Sequence, residues 1–215
     1  MKVLLVDDHQ MMRDGLRAVL ERDGIEVVGE AENGLEAIAV AKRLHPDIVV
    51  IDIAMPVLNG IDATRRLLAE LPGTKVIALS MNADRRYVVA MLEAGAVGYL
   101  LKRAASDELL LAVRAASRGE TYLSPAIAGK LVAQIVRGQP LGTKPEKPLS
   151  PREREVLQLL AEGKSSKEIA TLLQIGLPTV ETHRRQLTEK LGLRSIAELT
   201  KYAIREGITS VEPSG

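Results

Sequence analysis

The chain of 215 residues contains no Cys, no Trp and no Phe, and four Tyr are its only aromatic residues of the Phe, Trp and Tyr class. Without Cys, disulfides, thiolate catalysis, Cys-bound zinc and iron–sulfur clusters are excluded. So few rings argue against single-strand nucleic-acid grooves and aromatic cages. No apolar run approaches the roughly 18 residues of a membrane span, and the N-terminus lacks the apolar core of a signal peptide. We therefore expect a cytoplasmic protein without a membrane partner.

What the chain does contain is the balance of a globular protein, with 46% hydrophobic and 27% charged residues. The net charge is +1, but the charges are distributed unevenly. Residues 1–121 carry 15 Lys and Arg against 18 Asp and Glu, whereas residues 122–215 carry 14 against 10. An acidic first part and a mildly basic second part suggest two domains with different partners.

The first 121 residues alternate short apolar runs with amphipathic segments of helical length. The runs are rich in Val, Ile and Leu, which is typical of strands buried on both faces of a parallel sheet. Five strand–helix pairs predict an α/β fold with a doubly wound five-stranded parallel sheet. The carboxyl ends of such strands share one edge, where ligands bind. The predicted strands are 3–6, 27–28, 48–51, 76–79 and 97–101, and the predicted helices are 9–22, 33–44, 59–70, 84–94 and 106–118.

The rest of the chain is predicted to be helical, with one interruption. Residues 138–148 contain three Pro and two Gly, which is typical of a linker. Ser150, Pro151 and Glu153 have the spacing of a capping box with Pro in the first turn. The predicted helices are 124–137, 150–163, 167–173, 178–191 and 195–205. The expected units are an α/β domain over 1–121, a helix and linker over 122–148, a smaller all-α four-helix domain over 149–208, and a tail over 209–215.

Three carboxylates follow the ends of two predicted strands, Asp7 and Asp8 after the first and Asp52 after the third. They should converge at the carboxyl edge, where their mutual repulsion favours a bound cation. Oxygen ligands alone favour Mg²⁺ or another hard ion. Ser80 and Lys102 follow the fourth and fifth strands and add a hydroxyl and a positive charge. This set suits phosphoryl transfer to a carboxylate nucleophile.

The segments VLLVDDHQMMRDGL, IVVIDIAMPVLNGID, VIALSM and GAVGYLLK resemble the receiver domain of bacterial two-component response regulators, over about residues 1–121. The resemblance implies that Asp52 is the phosphoacceptor and that the receiver catalyses its own phosphorylation and dephosphorylation. It also implies that Ser80 hydrogen-bonds the phosphoryl group, that Lys102 pairs with it, and that Tyr99 is an aromatic switch. The implied Mg²⁺ ligands are Asp7, Asp8, Asp52 and the backbone carbonyl of Ala54.

Other enzyme classes do not fit the residues. A dehalogenase-type phosphatase needs an Asp two positions after its nucleophile, where this chain has Ala54. The GKS sequence at 163–165 lacks the earlier Gly of a P-loop, because Gln158 stands there, and it follows a helix. The three His are scattered, so neither a His metal site nor a Ser–His–Asp triad is supported. Arg103 replaces the Pro that follows the Lys in many receivers, so no cis-Pro is expected there.

Two C-terminal helices joined by a short turn form a candidate helix-turn-helix. The second, over 178–191, has apolar residues along one stripe and Thr182 and Arg185 on the opposite face. A polar, Arg-bearing face after a tight turn suits the DNA major groove. From the pattern alone, an ordinary amphipathic helix of a four-helix domain fits equally well.

The motifs REREVL, KEIA, TVETH and KLGLRS resemble the LuxR-type helix-turn-helix, over about residues 149–208. With the receiver ahead of it, the whole chain resembles a NarL/FixJ-subfamily response regulator. The resemblance implies that helix 178–191 enters the major groove and that helix 195–205 is the dimer element. Gly176 and Pro178 replace the usual cap and basic residue, which should lower the salt dependence of binding. The implied base-facing residues are Glu181, Thr182 and Arg185, with Lys167 and Thr179 near the phosphate backbone.

The function implied is a phosphorylation-dependent transcriptional regulator of a two-component system. A sensor histidine kinase supplies the phosphoryl group, and homodimers then bind paired half-sites in double-stranded promoter DNA. RNA polymerase is a further candidate partner. Before phosphorylation, the recognition helix is expected to be masked or mispaired. Three alternatives stay open: a docking module that no longer cycles phosphate, a receiver-like phosphatase acting in trans, and a constitutive DNA binder.

Overall fold

The computed structural model describes residues 1–137 and 148–209, which form an α/β domain followed by an all-helical domain. The α/β domain and its following helix consist of β1 (Lys2–Val6), α1 (Gln10–Arg22), β2 (Glu26–Ala31), α2 (Gly34–Leu44), β3 (Ile48–Asp52), α3 (Gly60–Glu70), β4 (Lys75–Ser80), α4 (Arg85–Glu93), β5 (Gly98–Leu101), α5 (Ala105–Ser117), β6 (Tyr122–Leu123) and α6 (Pro125–Val136). The helical domain consists of α7 (Pro151–Ala161), α8 (Ser166–Leu173), α9 (Leu177–Leu191) and α10 (Ile196–Arg205).

The sheet is parallel and has the strand order β2-β1-β3-β4-β5-β6. The five predicted strands are present, but the sheet has a sixth, β6, which pairs with β5 at the edge. The prediction of five strands was therefore one short. A strand of two residues is too short to show a period, and its pairing depends on where α5 returns the chain. Backbone hydrogen bonds hold it, with Tyr122 N donating to Val97 O at 3.0 Å and Ser124 N to Tyr99 O at 2.9 Å.

The alternating residues of the central strands supply two separate cores. Leu4 and Val6 point to the core beneath α2, α3 and α4, whereas Val3 and Leu5 point to the core beneath α1 and α5. All five residues of β3 are buried, which explains its lack of polar alternation. Only β2 was predicted much too short, because as an edge strand it is half-exposed and contains Gly29 and Glu30.

Local sequence signals set the helix ends. Ser150 and Glu153 form the predicted capping box at the start of α7, and Ser165 and Ser195 start α8 and α10 in the same way. Gly192 ends α9 with a φ of 68°. The helices agree with the predicted bounds to within two residues. Apart from Pro148 and Thr209, the predicted linker and tail lie outside the described residues.

The two domains contact each other in the described part of the chain. Leu35, at the start of α2, and Val57, between β3 and α3, pack against the core of the helical domain. From the helical domain, α7 and the segment that follows α10 face the α/β domain. None of the helices in the described ranges is long and apolar enough to cross a membrane.

Candidate functional site

The carboxyl ends of four neighbouring strands bring the predicted acidic site together. Asp52 is the last residue of β3, and Ser80 is the last residue of β4. Asp7 and Asp8 follow β1, and Lys102 follows β5. Since these strands are adjacent in the order β1-β3-β4-β5, the five residues come together at the sheet edge. Asp8, Asp52, Ser80 and Lys102 line one cleft there, and Asp7 is buried against Lys102.

Lys102 bridges two of the carboxylates. Its Nζ lies 2.8 Å from Asp52 Oδ2 and 2.8 Å from Asp7 Oδ2, and all three side chains are buried. Burial raises the pKa of Asp52 to about 6, although Lys102 opposes the shift. Burial alone would lower the pKa of Lys102, but Asp52 and Asp7 raise it above its ordinary value. The site therefore pairs a buried carboxylate with a charged ammonium group.

Asp7, Asp8 and His9 form a group that fits a divalent cation. One ligand atom from each lies within 4.8 Å of the others. Asp7 Oδ2 is buried without a well-directed hydrogen-bond donor, although Lys102 Nζ is near. Such an oxygen can accept a metal ion, and carboxylates suit Mg²⁺. The sequence analysis dismissed His9 as one of three scattered His. Its Nδ1 lies 2.8 Å from Asp8 Oδ1, and its adjacency to the acid pair was the available signal.

Arg13 is a second residue that the sequence analysis missed. Its side chain is only 3% exposed and donates to Asp7 O at 2.5 Å. It also donates to Glu30 and Glu32, each at 2.9 Å, and to Gln10. These bonds fix the β1–α1 loop that carries the acid pair. The available signal was the helical spacing of Arg13 with Leu16 and Leu20, which places it on the buried face of α1.

Ser80 and Tyr99 are linked through one residue of the β4–α4 loop. Ser80 Oγ accepts a hydrogen bond from Asn82 N at 3.0 Å, and Tyr99 Oη donates to Asn82 O at 2.8 Å. The Tyr99 ring is fully buried, and burial raises the pKa of its hydroxyl to about 12. Ala54, the predicted carbonyl ligand, is exposed beside Asp52. Its backbone N–H opposes the rise in the pKa of the Asp52 carboxyl.

The acidic site opens into a cavity of about 780 Å³ between the two domains. On one side the cavity is lined by Asp52, Ser80 and Lys102, and on the other by Glu162 and Lys164 of the helical domain. The helical domain is therefore one wall of the space through which a ligand would reach Asp52.

A buried amide pair joins the loop after Asp52 to α7. Asn59 donates from both its backbone N and its Nδ2 to Gln158 Oε1, each at 2.9 Å. Gln158 Nε2 donates to Met55 O at 2.9 Å and to Glu162 Oε1 at 2.8 Å. The Glu162 carboxylate accepts from Val57 N at 3.1 and 3.3 Å. Sequence reasoning used Gln158 only to reject a P-loop. The feature that could have identified it is that it is a polar residue inside the apolar run of α7.

Ion pairs and a backbone contact extend this interface. Arg154 Nε lies 2.9 and 3.1 Å from the two oxygens of Asp62, whose side chain is buried. On α4, Arg86 Nη1 donates to Arg205 O, at the end of α10, at 2.8 Å. Tyr87 packs so closely on Gly207 that a Cβ there would lie 2.6 Å from its ring. The contact surface of the helical domain is therefore held at one end by Arg154 of α7 and at the other by Arg205 and Gly207.

The predicted DNA-contacting residues lie together on α8 and α9. Thr182 is half-buried, and its Oγ1 donates to Pro178 O at 2.9 Å. Arg184 Nη1 donates to Ser166 Oγ at 2.6 Å, which ties the two helices together. The remaining four predicted contacts are exposed: Lys167, Thr179, Glu181 and Arg185.

In this structure the receiver does not mask the recognition helix, whereas the other form of the expectation, that the helix is mispaired before phosphorylation, stays a prediction. The exposed side chains of Thr179, Glu181 and Arg185 face solvent, while the described domain contacts involve α7 and the segment from Arg205 onward. The physical reason is that α7 offers its own buried polar residues to the α/β domain, which leaves the face of α9 free.

Comparison with known proteins identifies two families along the chain. The family described as "Response regulator receiver domain" matches residues 3–114. The family described as "Bacterial regulatory proteins, luxR family" matches residues 147–203. The two matches correspond to the α/β domain and the helical domain.

Full-length relatives cover nearly the whole chain. The transcriptional regulatory protein LiaR of Bacillus subtilis is 40% identical over 210 residues, which are 97% of this chain and 99% of LiaR. RcsB of Salmonella enterica serovar Typhimurium, solved bound to the promoter P1flhDC in the presence of phosphomimetic BeF3⁻, is 29% identical with a TM-score of 0.60 and covers 97% of this chain and 99% of that one. A structure of two RcsB dimers bound to two parallel DNAs has a TM-score of 0.58 at 29% identity, over 94% of this chain and 96% of that one.

Proposed function

The chain belongs to the two-component response regulators that join a receiver domain to a LuxR-type DNA-binding domain, and on that premise we propose that phosphorylation of Asp52 switches its dimerisation and its binding to duplex DNA. One observation carries the proposal. Lys102 Nζ lies 2.8 Å from both Asp52 and Asp7, so a buried nucleophile, a cation and an acid pair share one cleft. That combination suits phosphoryl transfer.

In this proposal the Asp52 carboxylate attacks the phosphorus of a phosphohistidine on a sensor kinase. The phosphorus–nitrogen bond breaks as the aspartyl phosphorus–oxygen bond forms, and the kinase His, which carries a proton on its other ring nitrogen, leaves as a neutral imidazole. Lys102 offsets charge on the phosphoryl oxygens and Ser80 donates a hydrogen bond to one of them. The metal ligands would be Asp7, Asp8, Asp52 and the Ala54 carbonyl, and Mg²⁺ held there supplies further charge neutralisation.

The output follows from the exposed face of α9. We propose that Tyr99 and Ser80 transmit the change at Asp52 through Asn82 to α4, which holds the end of α10. A homodimer then forms through α10 and reads paired half-sites in the major groove of promoter DNA. RNA polymerase at that promoter is a proposed further partner, and the cytoplasm is the proposed location. The proposed DNA contacts are Lys167, Thr179, Glu181, Thr182 and Arg185.

The direct test is labelling with radioactive acetyl phosphate and MgCl2. We expect Asp52→Asn to abolish labelling of the full chain. Asp107→Asn is the matched control, because Asp107 is an exposed carboxylate in the first turn of α5 and has no described contact with Asp52 or Lys102. Full labelling of Asp52→Asn would remove Asp52 as the acceptor.

The exposed recognition face supports one second candidate, a constitutive DNA binder. In that case the chain would bind its operator equally with and without beryllofluoride, a phosphoryl analogue. Operators obtained by genome-wide selection of bound DNA under both conditions would separate the two candidates.

A further inference from the structure

The strand β5 supplies two residues of the site, because Tyr99 is its second residue and Lys102 follows its end. β5 lies between β4 and β6 in the sheet. The pairing with β4 continues to Leu101, whereas the pairing with β6 stops where Leu123 meets Tyr99. In the described part of the chain, the last residue of β5 therefore has a strand partner on one side only.

The side chain of Ser124 takes the place of the missing strand partner. Ser124 N continues the ladder by donating to Tyr99 O at 2.9 Å. The Ser124 carbonyl turns into α6, where it accepts from Ile127 N at 2.8 Å. Leu101 N donates to Ser124 Oγ at 3.2 Å. One buried residue thus holds β5 at Tyr99 and again directly before Lys102.

Glu108 completes the hydrogen bonds of the Ser124 hydroxyl. A hydroxyl can accept and donate at the same time, whereas the Leu101 amide can only donate. The hydroxyl proton is therefore directed elsewhere, and Ser124 Oγ donates to Glu108 Oε2 in the first turn of α5. Since Glu108 is half-buried and Ser124 is buried, water competes weakly for this charge-assisted bond. The ends of β5 and β6 and the starts of α5 and α6 are joined at one hydroxyl.

The position of Lys102 depends on this end of β5. Lys102 Nζ lies 2.8 Å from both Asp52 Oδ2 and Asp7 Oδ2, so a small shift of its backbone would separate the ammonium group from a carboxylate. Without the Ser124 hydroxyl, the buried N–H of Leu101 would lack an acceptor, which favours a displaced strand end. The hydroxyl therefore stabilises the backbone from which Lys102 reaches the acceptor.

We infer that Ser124 and Glu108 are positioning residues for Lys102, and that their hydrogen bonds hold its ammonium group where it pairs with a phosphoryl group on Asp52. The inference rests on the proposed function. Neither residue lines the cavity beside Asp52, so both act through the backbone of β5 and not by contact with the phosphoryl group.

The test is the initial rate at which radioactive acetyl phosphate labels the full chain with MgCl2. We expect Ser124→Ala to lower this rate about five- to tenfold, because Leu101 N loses its acceptor. The matched control is Ser117→Ala. Ser117 is exposed at the end of α5, and its hydroxyl also bonds to the backbone, donating to Arg114 O at 2.8 Å.

Substitutions of Glu108 test the same bonds without touching Ser124. Glu108→Gln keeps an oxygen that accepts from Ser124, and its labelling rate should stay within about twofold of the wild-type rate. Glu108→Ala should lower the rate as Ser124→Ala does, also where Ser124→Ala itself fails to fold. Its control is Asp107→Ala, the exposed neighbouring carboxylate.

A double-mutant cycle with Lys102 distinguishes positioning from a general loss of structure. A residue that acts only through Lys102 has no further effect once that side chain is removed. We therefore expect Ser124→Ala to change the labelling rate of Lys102→Ala less than about twofold. A merely structural role would lower the rate by the same factor with and without Lys102.

Each outcome decides a separate point. Unchanged labelling of Ser124→Ala and Glu108→Ala, or an equal loss in the Lys102→Ala background, overturns the inference and leaves the proposed function standing. Labelling of Glu108→Gln as slow as that of Glu108→Ala also overturns it, since the hydrogen bond would not be the cause. Absence of labelling in the wild type overturns the proposed function itself, and the inference with it.

Discussion

Asn59 and Gln158, 99 positions apart, meet across the domain interface with two hydrogen bonds of 2.9 Å to a single amide oxygen. Asn59 also caps α3, and its Oδ1 accepts from Asp62 N at 2.9 Å. One residue thus anchors a helix of the receiver and the DNA-binding domain at once. Asn59 lies seven positions after Asp52, so the link between the acidic site and the DNA-binding domain is short.

Replacing the proposed acceptor should stabilise the protein at neutral pH. The pKa of Asp52 is raised to about 6 in the folded protein. Between about pH 4 and pH 6 the folded state therefore holds a proton that the unfolded state has released, and the free energy of unfolding falls as the pH rises through this range. Asp52→Asn mimics the protonated form, and we expect it to gain up to about 3 kcal/mol above that range. Urea unfolding with a chelator, near neutral pH and at about pH 4, measures the gain.

The pH dependence is the check on that prediction. The advantage of Asp52→Asn should shrink towards zero near pH 4, where the wild type is also protonated. Asp107→Asn should show no such change. Destabilisation of Asp52→Asn at neutral pH would contradict the burial argument.

Tyr99 should couple phosphorylation to DNA binding. Tyr99→Phe keeps the buried ring and removes the hydrogen bond to Asn82 O, so we expect normal labelling with acetyl phosphate and a weakened response of DNA binding to beryllofluoride. Tyr99→Ala also opens a cavity, at a cost of about 3–5 kcal/mol. It should uncouple labelling from DNA binding completely. An unaltered response in both variants would remove Tyr99 from the pathway.

Because the recognition face of α9 is exposed, we predict that phosphorylation promotes the pairing of two chains more than it uncovers α9. We expect the affinity for a single half-site to change less than about twofold with beryllofluoride, whereas the affinity for a paired site rises at least about tenfold. Fluorescence anisotropy on duplexes with one or two selected half-sites measures both. A tenfold effect on the half-site alone would show that the resting chain shields α9 in solution.

Two of the proposed DNA contacts should act differently. Arg185→Ala is expected to cost about 1–3 kcal/mol and to relax preference at one base pair, because Arg185 lies on the exposed face of α9. Lys167→Ala should weaken binding to all DNA sequences alike and reduce the slope of log affinity against log salt concentration by about 0.9. Binding to operator and mutated operator over a range of salt separates them, with Arg194→Ala as the control. Identical profiles for the two variants would contradict the assignment.

Much of the architecture was determined by local patterns. The apolar runs of β1, β3, β4 and β5 predicted a parallel sheet, because burial on both faces leaves no polar alternation. Asp7, Asp8, Asp52, Ser80 and Lys102 were predicted to converge because parallel strands end at one edge. Capping boxes marked the helices of the second domain, since those hydrogen bonds join residues three positions apart.

Tertiary structure alone decided how the two domains meet. β6 pairs at an edge over two residues, and Arg13 reaches Glu30 and Glu32 only because α1 packs beside β2. Gln158 looks in sequence like a polar interruption of an apolar helix, yet it is buried against a loop about 100 positions earlier. No local period encodes such contacts, because they depend on which faces of two folded domains match. The sequence by itself therefore determined the sheet edge and the helix-turn-helix, and the packing of α7 on the receiver decided that α9 stays exposed.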